Sequence, residues 1–489
     1  MLFNLVLKKT KIVATLSDKN CTPELVAKLI AAGVDVVRVN TAHVTRESAA
    51  KIVETVHAVS PATPIMLDTK GPEIRITGID ESDGGELAFR AGDTIRIRGT
   101  RKDEKSNRET VYFNTTEAIP DIAVGNVLLI ADGEIELAVI DKHEDELVCK
   151  FINDGTLRPR KSVNVPGVSL QLPSVTERDR KFIEWAIDND IDFIAHSFVR
   201  SAADVAAVQS VLDERGSKIK IISKIENQEG LDNLDEIIEA SYGIMVARGD
   251  LGVELPAEAI PTAQRRIVES CIRAERPVII ATQMLYSMIH SPRPTRAEVS
   301  DVASAIYERV DAVMLSEETA MGAYPVESVE TMSRIAERIE EDERSFTPMT
   351  DMNMVSVAHE ITAQVARSAV RASTNLPVKY IVVDTLTGRT GRYLAAFRSH
   401  KTVVAVCYTL HAQRILALSY GVKPILRDKS LDDRYHFLAD AMEVIDEQEV
   451  LRDDDLLVTV GGSFSPERGA SYVEIARVAD IRERNEKRH

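Results

Sequence analysis

The sequence is poor in cysteine and has no long apolar run. The four cysteines, Cys21, Cys149, Cys271 and Cys407, are far apart and form no C-x-x-C pair. This spacing argues against a disulfide framework or a zinc site and is typical of a reducing cytoplasm. No apolar run reaches the roughly 18 residues that a membrane-spanning helix requires. The N-terminal residues also lack the features of a secretory signal, so we expect a cytoplasmic protein without a membrane span.

Basic residues are outnumbered by acidic ones. The 60 Lys and Arg residues against 77 Asp and Glu residues give a net charge of −17 at pH 7. This balance argues against general binding to nucleic acid or to anionic membranes, where basic surfaces dominate. It does not exclude a small anionic substrate, because a local cluster of Arg and Lys overrides the mean field. With 489 residues, 44% apolar and 28% charged, the chain is long enough for two or three globular domains.

Strand-like and helix-like segments alternate from Lys11 to Glu341, with one interruption. About eight β/α units remain when the interruption is removed, and eight such units close into a barrel. Between Glu73 and Val165, short β-rich pieces separated by Asp/Gly turns predict an all-β insertion. After Ser345 the alternation restarts as a separate unit, which predicts an open doubly wound sheet.

The predicted fold is therefore α/β: a (β/α)8 TIM barrel with an inserted small β-barrel lid domain and a C-terminal doubly wound α/β domain. The expected limits are 1–72 for the first part of the barrel, 73–166 for the lid, 167–347 for the second part of the barrel and 348–489 for the C-terminal domain.

Two short runs near the middle of the chain place charged residues at the ends of buried strands. They are Ser223-Lys-Ile-Glu-Asn227 and Ala247-Arg-Gly-Asp-Leu-Gly252, and each follows a β-branched apolar segment. A charge without a partner at such a position is costly. Lys224 and Glu226 are two residues apart, so on a strand they point to the same side. The two runs indicate an active site, with a metal ligand beside a cation that faces a bound anion.

Polar residues also end the other predicted strands of the barrel. In a (β/α)8 barrel all these ends meet at one rim, the catalytic face. They are Arg38, Asn40, Asp68, Ser197, Thr282 and Ser316.

Six motifs along the barrel resemble those of pyruvate kinases, in the same order, and the plan of barrel, lid and C-terminal domain fits as well. One such motif would be weak evidence, whereas six in register are highly specific. They are Thr10-Lys-Ile-Val-Ala-Thr-Leu16, Leu67-Asp-Thr-Lys-Gly-Pro-Glu-Ile-Arg75, Ser223-Lys-Ile-Glu-Asn227, Val246-Ala-Arg-Gly-Asp-Leu-Gly-Val-Glu254, Ala281-Thr-Gln-Met-Leu285 and Met314-Leu-Ser-Glu-Glu-Thr-Ala320. The resemblance implies Mg²⁺-dependent phosphoryl transfer from phosphoenolpyruvate to ADP, giving pyruvate and ATP at the last step of glycolysis.

The resemblance also implies the roles of individual residues at the centre. Glu226 and Asp250 match the family's ligands for Mg²⁺ or Mn²⁺, and Lys224 matches the cation that stabilises the enolate and the phosphoryl group in flight. Arg38 matches the phosphate-binding arginine, and Thr282 matches the residue near the methylene carbon. The alternative for the two carboxylates is a buried ion-pair network with Lys224 and Arg248, without a metal, and for Thr282 a simple loop cap.

The substrate and nucleotide contacts are implied in the same way. Arg248 and Gly249 match the segment whose backbone amides hold the substrate carboxylate, next to Asp250. Arg75 and Lys161 match nucleotide-phosphate contacts at the lid hinges, and His43 lies near the nucleotide in the family. Lid residue Asp132 resembles one that closes on the site, although Ala131-Asp-Gly133 is also a typical hairpin turn.

A monovalent-cation site for K⁺ is implied by Asn40, Asp68 and Thr69. Here the sequence departs from the family, because Ala42 stands where a Ser hydroxyl would coordinate K⁺. A water molecule or Thr41 could compensate, although Thr41 has the wrong parity on a strand. Glu73, in contrast, is the residue type that accompanies K⁺ dependence. We expect K⁺ to be a cofactor alongside Mg²⁺.

An effector loop is implied between a strand and a helix of the C-terminal domain. Amides and hydroxyls at a helix N-terminus form a phosphate cradle, and the loop resembles the family's site for phosphorylated sugars. The residues concerned are Thr385, Thr387, Gly388, Arg389, Thr390 and, from a facing loop, Arg468. A plain βα loop is the alternative, and a homotetramer is implied by the resemblance only.

Two other functions are weighed against the kinase. One is a barrel lyase or aldolase that uses phosphoenolpyruvate or pyruvate enolate chemistry, and the other is a catalytically silent binder. A lyase needs no second phosphate site, so Arg75 and Lys161 at the lid edges favour the kinase. The joint presence of the charged residues at the rim argues against the silent binder.

Overall fold

The computed structural model describes residues 8–80, 84–102, 104–342, 349, 360–427, 437–447, 450–462 and 469–486. The predicted boundary at residues 347 and 348 lies outside them. Among the described helices, none is long and apolar enough to cross a membrane.

The first part of the barrel has the predicted alternation. It comprises β1 (Lys11–Leu16), α1 (Pro23–Ala32), β2 (Val36–Asn40), α2 (Arg46–Val59) and β3 (Ile65–Asp68). Helix α1 begins where the Thr22 side chain accepts a hydrogen bond from the Leu25 amide, and it ends at Gly33 with φ 120°. A capping box between Thr45 and Ser48 begins α2. Such caps satisfy backbone groups that a helix leaves open at its ends.

The inserted lid is built from short strands. They are β4 (Ile74–Arg75), β5 (Leu87–Phe89), β6 (Thr94–Gly99), β7 (Thr110–Phe113), β8 (Val127–Ile130), β9 (Ile135–His143), β10 (Glu146–Phe151), β11 (Gly155–Leu157) and β12 (Ser162–Asn164). Seven of them form one sheet in the order β4-β12-β8-β9-β10-β6-β7. An antiparallel bridge between Ile76 and Phe113 joins its two edges, so the sheet curls into a barrel around its own apolar core.

The second part completes the barrel. It comprises α3 (Glu177–Asp188), β13 (Phe193–His196), α4 (Ala202–Asp213), β14 (Lys220–Ile225), α5 (Gln228–Asp232), α6 (Leu234–Ala240), β15 (Gly243–Ala247), α7 (Arg248–Glu254), α8 (Ile260–Arg273), β16 (Val278–Ala281), α9 (Arg296–Tyr307), β17 (Ala312–Leu315), α10 (Glu317–Ala320) and α11 (Pro325–Glu340). The closed sheet runs β1-β17-β16-β15-β14-β13-β3-β2 with parallel pairs throughout. Its strands are buried on both faces, which explains their continuous apolar runs.

The C-terminal domain is an open sheet covered on both faces. Its elements are α12 (Glu360–Asn375), β18 (Val378–Thr385), α13 (Arg389–Ala396), β19 (Val403–Cys407), α14 (Leu410–Leu416), β20 (Val422–Leu426), α15 (Phe437–Asp446), β21 (Leu456–Gly462), β22 (Ala470–Arg477) and α16 (Val478–Glu486). The order is β20-β19-β18-β21-β22, with only β22 antiparallel in this sheet. Helices α12, α13 and α14 share one core with the sheet, and α15 and α16 share another. The predicted fold class is thus confirmed.

The C-terminal domain closes the N-terminal end of the barrel. Ile415 and Leu418 pack among the residues that fill the barrel interior. The guanidinium of Arg398 contacts both carboxylate oxygens of Asp311, at 3.0 and 2.7 Å, in a buried ion pair. The other end, where the strands finish, remains available for a site.

A buried carboxylate in this interface predicts a pH dependence of stability. Burial raises the pKa of Glu275 to about 7, despite nearby Arg392 and Arg276. The folded state therefore binds more protons than the unfolded state between the two pKa values, and stability falls as pH rises from about 4.5 to 7. We expect Glu275→Gln to leave the melting temperature at pH 5 nearly unchanged and to raise it by about 2 °C at pH 8. Thermal melts of both proteins at the two pH values check this, and an equal shift at both would contradict it.

Candidate active site

The two charged runs meet at the rim, as their spacing predicts. Lys224 is the last residue but one of β14, in register with Met245 of the neighbouring strand β15. Its Nζ lies 2.9 Å from Oε1 of Glu226, so the two side chains do point to the same side. Strand β15 gives way directly to the short helix α7, whose first turn carries Asp250.

Lys224 is buried in a cage of oxygen atoms. Its Nζ donates to Oγ of Ser197 at 2.7 Å and lies 3.2 Å from Oδ1 of Asp68. Burial by itself lowers the pKa of Lys224, but Asp68 and Glu226 outweigh it and hold the pKa above its ordinary value. The side chain is therefore a fixed cation at neutral pH.

Asp68 links Lys224 to a second buried cation. Nε of Arg38 donates to Oδ2 of Asp68 at 2.6 Å, and Nη1 donates to Oγ1 of Thr15 at 3.0 Å. Burial works against ionisation of Asp68, but Arg38 and Lys224 lower its pKa below the ordinary value. The structure thus presents two oriented cations at the rim, bridged by one carboxylate.

Buried Glu226 and half-buried Asp250 form a pair of like charges. Oε2 of Glu226 accepts a hydrogen bond from the Phe198 amide at 2.6 Å. Oε1 is buried and forms an ion pair with Nζ of Lys224 at 2.9 Å. Burial raises the pKa of Glu226 to about 7, with a further contribution from Asp250, and burial likewise raises the pKa of Asp250.

This pair fits a divalent cation with few protein ligands. An ion between the two carboxylates would cancel their repulsion, and hard oxygen donors suit Mg²⁺. Within the described residues there is no cluster of three or more His, Cys, Asp or Glu side chains that could hold a metal. Two protein carboxylates would leave the other positions to substrate and water, an arrangement that Mg²⁺ favours.

Thr282 lies in a strained turn that Arg248 holds. Thr282 and Gln283 have φ of 68° and 56°, a region that costs energy for non-glycine residues. Oγ1 of Thr282 accepts a hydrogen bond from the Gly249 amide at 2.8 Å. The Arg248 guanidinium donates to the Thr282 carbonyl at 2.9 Å and to both oxygens of Asp301, each at 2.7 Å.

The ion pair between Asp301 and Arg248 yields a testable expectation. Asp301→Asn removes the charge that orients Arg248, so the Thr282 turn relaxes and turnover falls about tenfold, the loss typical of an outer positioning group. Steady-state assays and thermal melts check this. Asp235→Asn, an exposed carboxylate on α6, is the matched control and keeps full turnover. Equal turnover of the two variants would contradict a positioning role for Asp301.

A cleft of about 460 Å³ lies between the lid connections and the barrel, next to the carboxylate pair. It is lined by residues of both lid connections and of the loops after β13, β14 and β15, among them Glu73, Asn164, Phe198, Glu226 and Asp250. The cleft adjoins the site on the side of the lid.

The predicted nucleotide residues are not gathered in this cleft. Arg75 forms a two-pronged ion pair with Glu73, at 2.8 and 2.9 Å, and this pair, with a smaller contribution from Asp250, raises the pKa of Arg75. Lys161 lines a separate lid pocket of about 230 Å³, and His43 is exposed beyond the end of β2. Asp132, with φ 58°, accepts a hydrogen bond from Ser162 at 2.9 Å.

The predicted K⁺ ligands lie together, and protein groups contact each of them. Oδ1 of Asn40 accepts from the Ala42 amide at 3.0 Å, and Oγ1 of Thr69 accepts from the Ser197 amide at 3.1 Å. Thr41 is buried and donates to the Asp68 carbonyl at 2.9 Å. Oxygen atoms of these types accept more than one partner, so the set still fits a cation, with one ligand fewer than the family pattern.

The predicted effector loop has a compact turn. Oγ1 of Thr385 accepts from the Gly388 amide at 3.0 Å. Gly388 has φ 81°, and α13 begins at the next residue, Arg389. Thr390 is buried and Thr387 is exposed. Arg468 lies outside the described residues.

Sequence reasoning missed several partners of the site. Thr15 is a polar residue within an apolar strand, which was a usable signal. Asp301 carries no local signal, because an acidic residue on a barrel helix is ordinary. Ser197 was predicted only as a strand-end residue, and its contact with Lys224 becomes visible only when the strands close into a barrel.

Comparison with known proteins agrees with this architecture. Residues 7–329 match the family described as pyruvate kinase, barrel domain, and residues 363–478 match pyruvate kinase, alpha/beta domain. The chain is 43% identical to the pyruvate kinase of Borreliella burgdorferi over 98% of its own length and 100% of that protein. It is 38% identical to that of Staphylococcus aureus over 95% of its own length and 79% of that protein.

A solved structure is similar throughout. The crystal structure of a pyruvate kinase from Cryptosporidium parvum superposes with a TM-score of 0.89 at 34% identity, covering 97% of each chain. With both domains matched and near-complete coverage of these relatives, the chain belongs to the pyruvate kinase family.

Proposed function

We propose that this chain transfers the phosphoryl group of phosphoenolpyruvate to ADP and releases pyruvate and ATP. The observation that carries the proposal is the pair of buried cations, Arg38 and Lys224, bridged by Asp68 beside the carboxylates of Glu226 and Asp250. Phosphoryl transfer depends on positioning and charge neutralisation more than on covalent help from the protein, and this arrangement supplies both.

The residues act on different parts of the substrate. Arg38 binds the phosphate with its forked guanidinium. The backbone of Arg248 and Gly249 binds the carboxylate, for which the Gly249 amide exchanges its bond to Oγ1 of Thr282. When the bond from phosphorus to the enol oxygen breaks and phosphorus bonds to a β-phosphate oxygen of ADP, Lys224 stabilises the enolate charge. Mg²⁺ or Mn²⁺ held by Glu226 and Asp250 would supply further positive charge at the phosphate oxygens. The enolate carbon then takes a proton, which the Thr282 hydroxyl relays through water.

The lid contributes the nucleotide side. Arg75, Lys161 and His43 contact ADP when the lid closes, and Asp132 moves with it. Closure would exclude water, which otherwise competes with ADP for the phosphoryl group. Arg75 must exchange part of its pairing with Glu73 for nucleotide phosphates, and Lys161 must turn from its lid pocket.

A coupled assay tests the proposal. Pyruvate formation from phosphoenolpyruvate is measured with and without ADP, in Mg²⁺ and in chelator. We expect turnover that requires both ADP and the divalent metal. Turnover without ADP would support a barrel lyase or aldolase, and no turnover at all would support a silent binder. Either result would overturn the kinase.

We propose that K⁺ is a second cofactor, held by Asn40, Asp68 and Thr69. At equal ionic strength, K⁺ is expected to give turnover several-fold above that in tetramethylammonium, and Ala42→Ser is expected to lower the K⁺ concentration for half activation by adding a hydroxyl ligand. Titrations of turnover with each cation check this. Equal rates in both cations would contradict the proposed K⁺ site but would not affect the proposed kinase reaction.

The remaining parts of the proposal concern regulation and assembly. A phosphorylated sugar is the proposed effector, bound by Thr385, Thr387, Gly388, Arg389 and Thr390 at the start of α13, with Arg468 as an anchor. A homotetramer in the cytoplasm is the proposed state, and it involves neither nucleic acid nor membrane. Analytical ultracentrifugation measures the oligomeric state, and repeating it with fructose bisphosphate shows whether that sugar changes it.

A further inference from the structure

The turn of Ser197 and Phe198, directly after β13, contacts the lid entrance on one side and the catalytic side chains on the other. Oγ of Ser197 donates to the Thr69 carbonyl at 2.7 Å, and its amide donates to Oγ1 of Thr69 at 3.1 Å. The same Oγ accepts from Nζ of Lys224 at 2.7 Å. Ser197 therefore ties Lys224 to the last residues before the lid.

Phe198 connects the lid entrance to the metal carboxylate. Its amide donates to Oε2 of Glu226 at 2.6 Å, and its φ of 56° is unusual for a non-glycine residue. Gly71 packs directly on its ring: a Cβ at Gly71 would lie 2.7 Å from Cδ2 of Phe198 and 3.0 Å from Cβ of Ser197. Such distances require one of the partners to move. Gly71 also has φ +71°, so this position needs glycine for two separate reasons.

The lid entrance is held from a second direction as well. The Lys70 amide donates to Oδ1 of Asp179, a buried residue of α3, at 3.0 Å. Thr69, Lys70 and Gly71 are thus fixed against both α3 and the Ser197–Phe198 turn. A displacement of Gly71 toward the barrel meets the Phe198 ring rather than open space.

We infer that Ser197 and Phe198 are positioning residues that keep Lys224 and Glu226 aligned with the lid entrance, so that a shift at Gly71 changes the metal affinity of the Glu226 and Asp250 pair. The inference rests on the proposed function for the roles of these charged side chains. It adds a mechanical connection between the position of the lid and the metal ligands, through one turn.

Gly71→Ala tests the connection without altering any charged residue. We expect the affinity for Mn²⁺, measured by electron paramagnetic resonance without substrate, to fall about tenfold, the lower end of the effect of outer residues on metal sites. Gly216→Ala is the matched control, because Gly216 has φ +61° and a Cβ added there would meet no atom within 4 Å. It carries a similar backbone strain and is expected to keep the Mn²⁺ affinity of the wild type.

Ser197→Ala provides a second variant that removes one oxygen atom. We expect kcat to fall about 10- to 100-fold while KM for phosphoenolpyruvate changes by less than about threefold, because Arg38 still binds the phosphate and only the orientation of Lys224 is lost. Unchanged Mn²⁺ affinity in folded Gly71→Ala, or unchanged kcat in Ser197→Ala, would overturn the inference. Failure of the proposed function shows instead as absent wild-type turnover, and the Mn²⁺ measurement remains decisive in that case.

Discussion

Lys224→Met is expected to lower kcat for phosphoryl transfer by about 10³-fold or more, while the affinity for phosphoenolpyruvate changes little. The variant removes the fixed cation that we propose faces the developing enolate, and loss of a single preorganised stabilising group costs about 10² to 10³ in rate. Because Lys224 carries a full charge, we expect the loss in rate to lie at or beyond the upper end of this range. Arg38 keeps its own contacts with Asp68 and Thr15, so we expect the proposed phosphate site to persist.

The measurement separates chemistry from binding. The coupled assay gives kcat, and isothermal titration calorimetry gives the affinity for phosphoenolpyruvate. Lys220→Met is the control, because Lys220 is half-buried at the opposite end of the same strand, β14. We expect this control variant to have normal turnover. Normal turnover by Lys224→Met would refute the assigned role.

Asp250→Asn is expected to abolish metal-dependent turnover and, at the same time, to stabilise the metal-free fold. The raised pKa values of Glu226 and Asp250 mean that the folded protein disfavours their charged forms relative to water. At pH 8, above the Glu226 value of about 7, removing one of the two charges relieves this penalty. We expect turnover to fall at least about 10³-fold and the melting temperature in chelator to rise by about 2 °C.

The stabilisation distinguishes a functional charge from a structural one. Mn²⁺ binding and melts in chelator are measured on the variant and on Glu258→Gln, an exposed carboxylate after α7. The control is expected to match the wild type in both. Wild-type Mn²⁺ affinity in Asp250→Asn would contradict its place as a metal ligand, and a lower melting temperature would show that its charge supports the fold.

Much of the fold could be predicted because it depends on local periodicity. The barrel has the predicted alternation of strands and helices, since apolar patterns of period two and of about 3.6 persist over several residues. The two- and three-residue lid strands β4, β5, β11 and β12 were not predicted, because no period can be read over so few positions. Helix α7 was also missed; it starts directly at the end of β15, so the charged run that was assigned to a strand end continues into a helix.

The candidate site could likewise be predicted only in part. Alternation on a strand was enough to place Lys224 beside Glu226, and the order of the strands was enough to place Asp250 near them. Neither pattern indicates which cation each carboxylate contacts. Asp68, predicted as a K⁺ ligand, bridges Arg38 and Lys224, and Arg248, a possible partner of the carboxylate pair, bonds Asp301 on α9 instead.

The sequence by itself determined the α/β barrel, the inserted lid, the C-terminal domain and the charged residues that end neighbouring strands. These depend on interactions between residues close in the chain and on which side chains must be buried. The tertiary structure alone decided which residues of the site contact each other. These contacts are the oxygen atoms around Lys224, the hydrogen bond from Arg248 to the Thr282 carbonyl and the packing of Gly71 on Phe198. Each joins residues far apart in sequence, and the physical reason is closure of the barrel, which brings all strand ends to one rim and sets distances that local patterns do not encode.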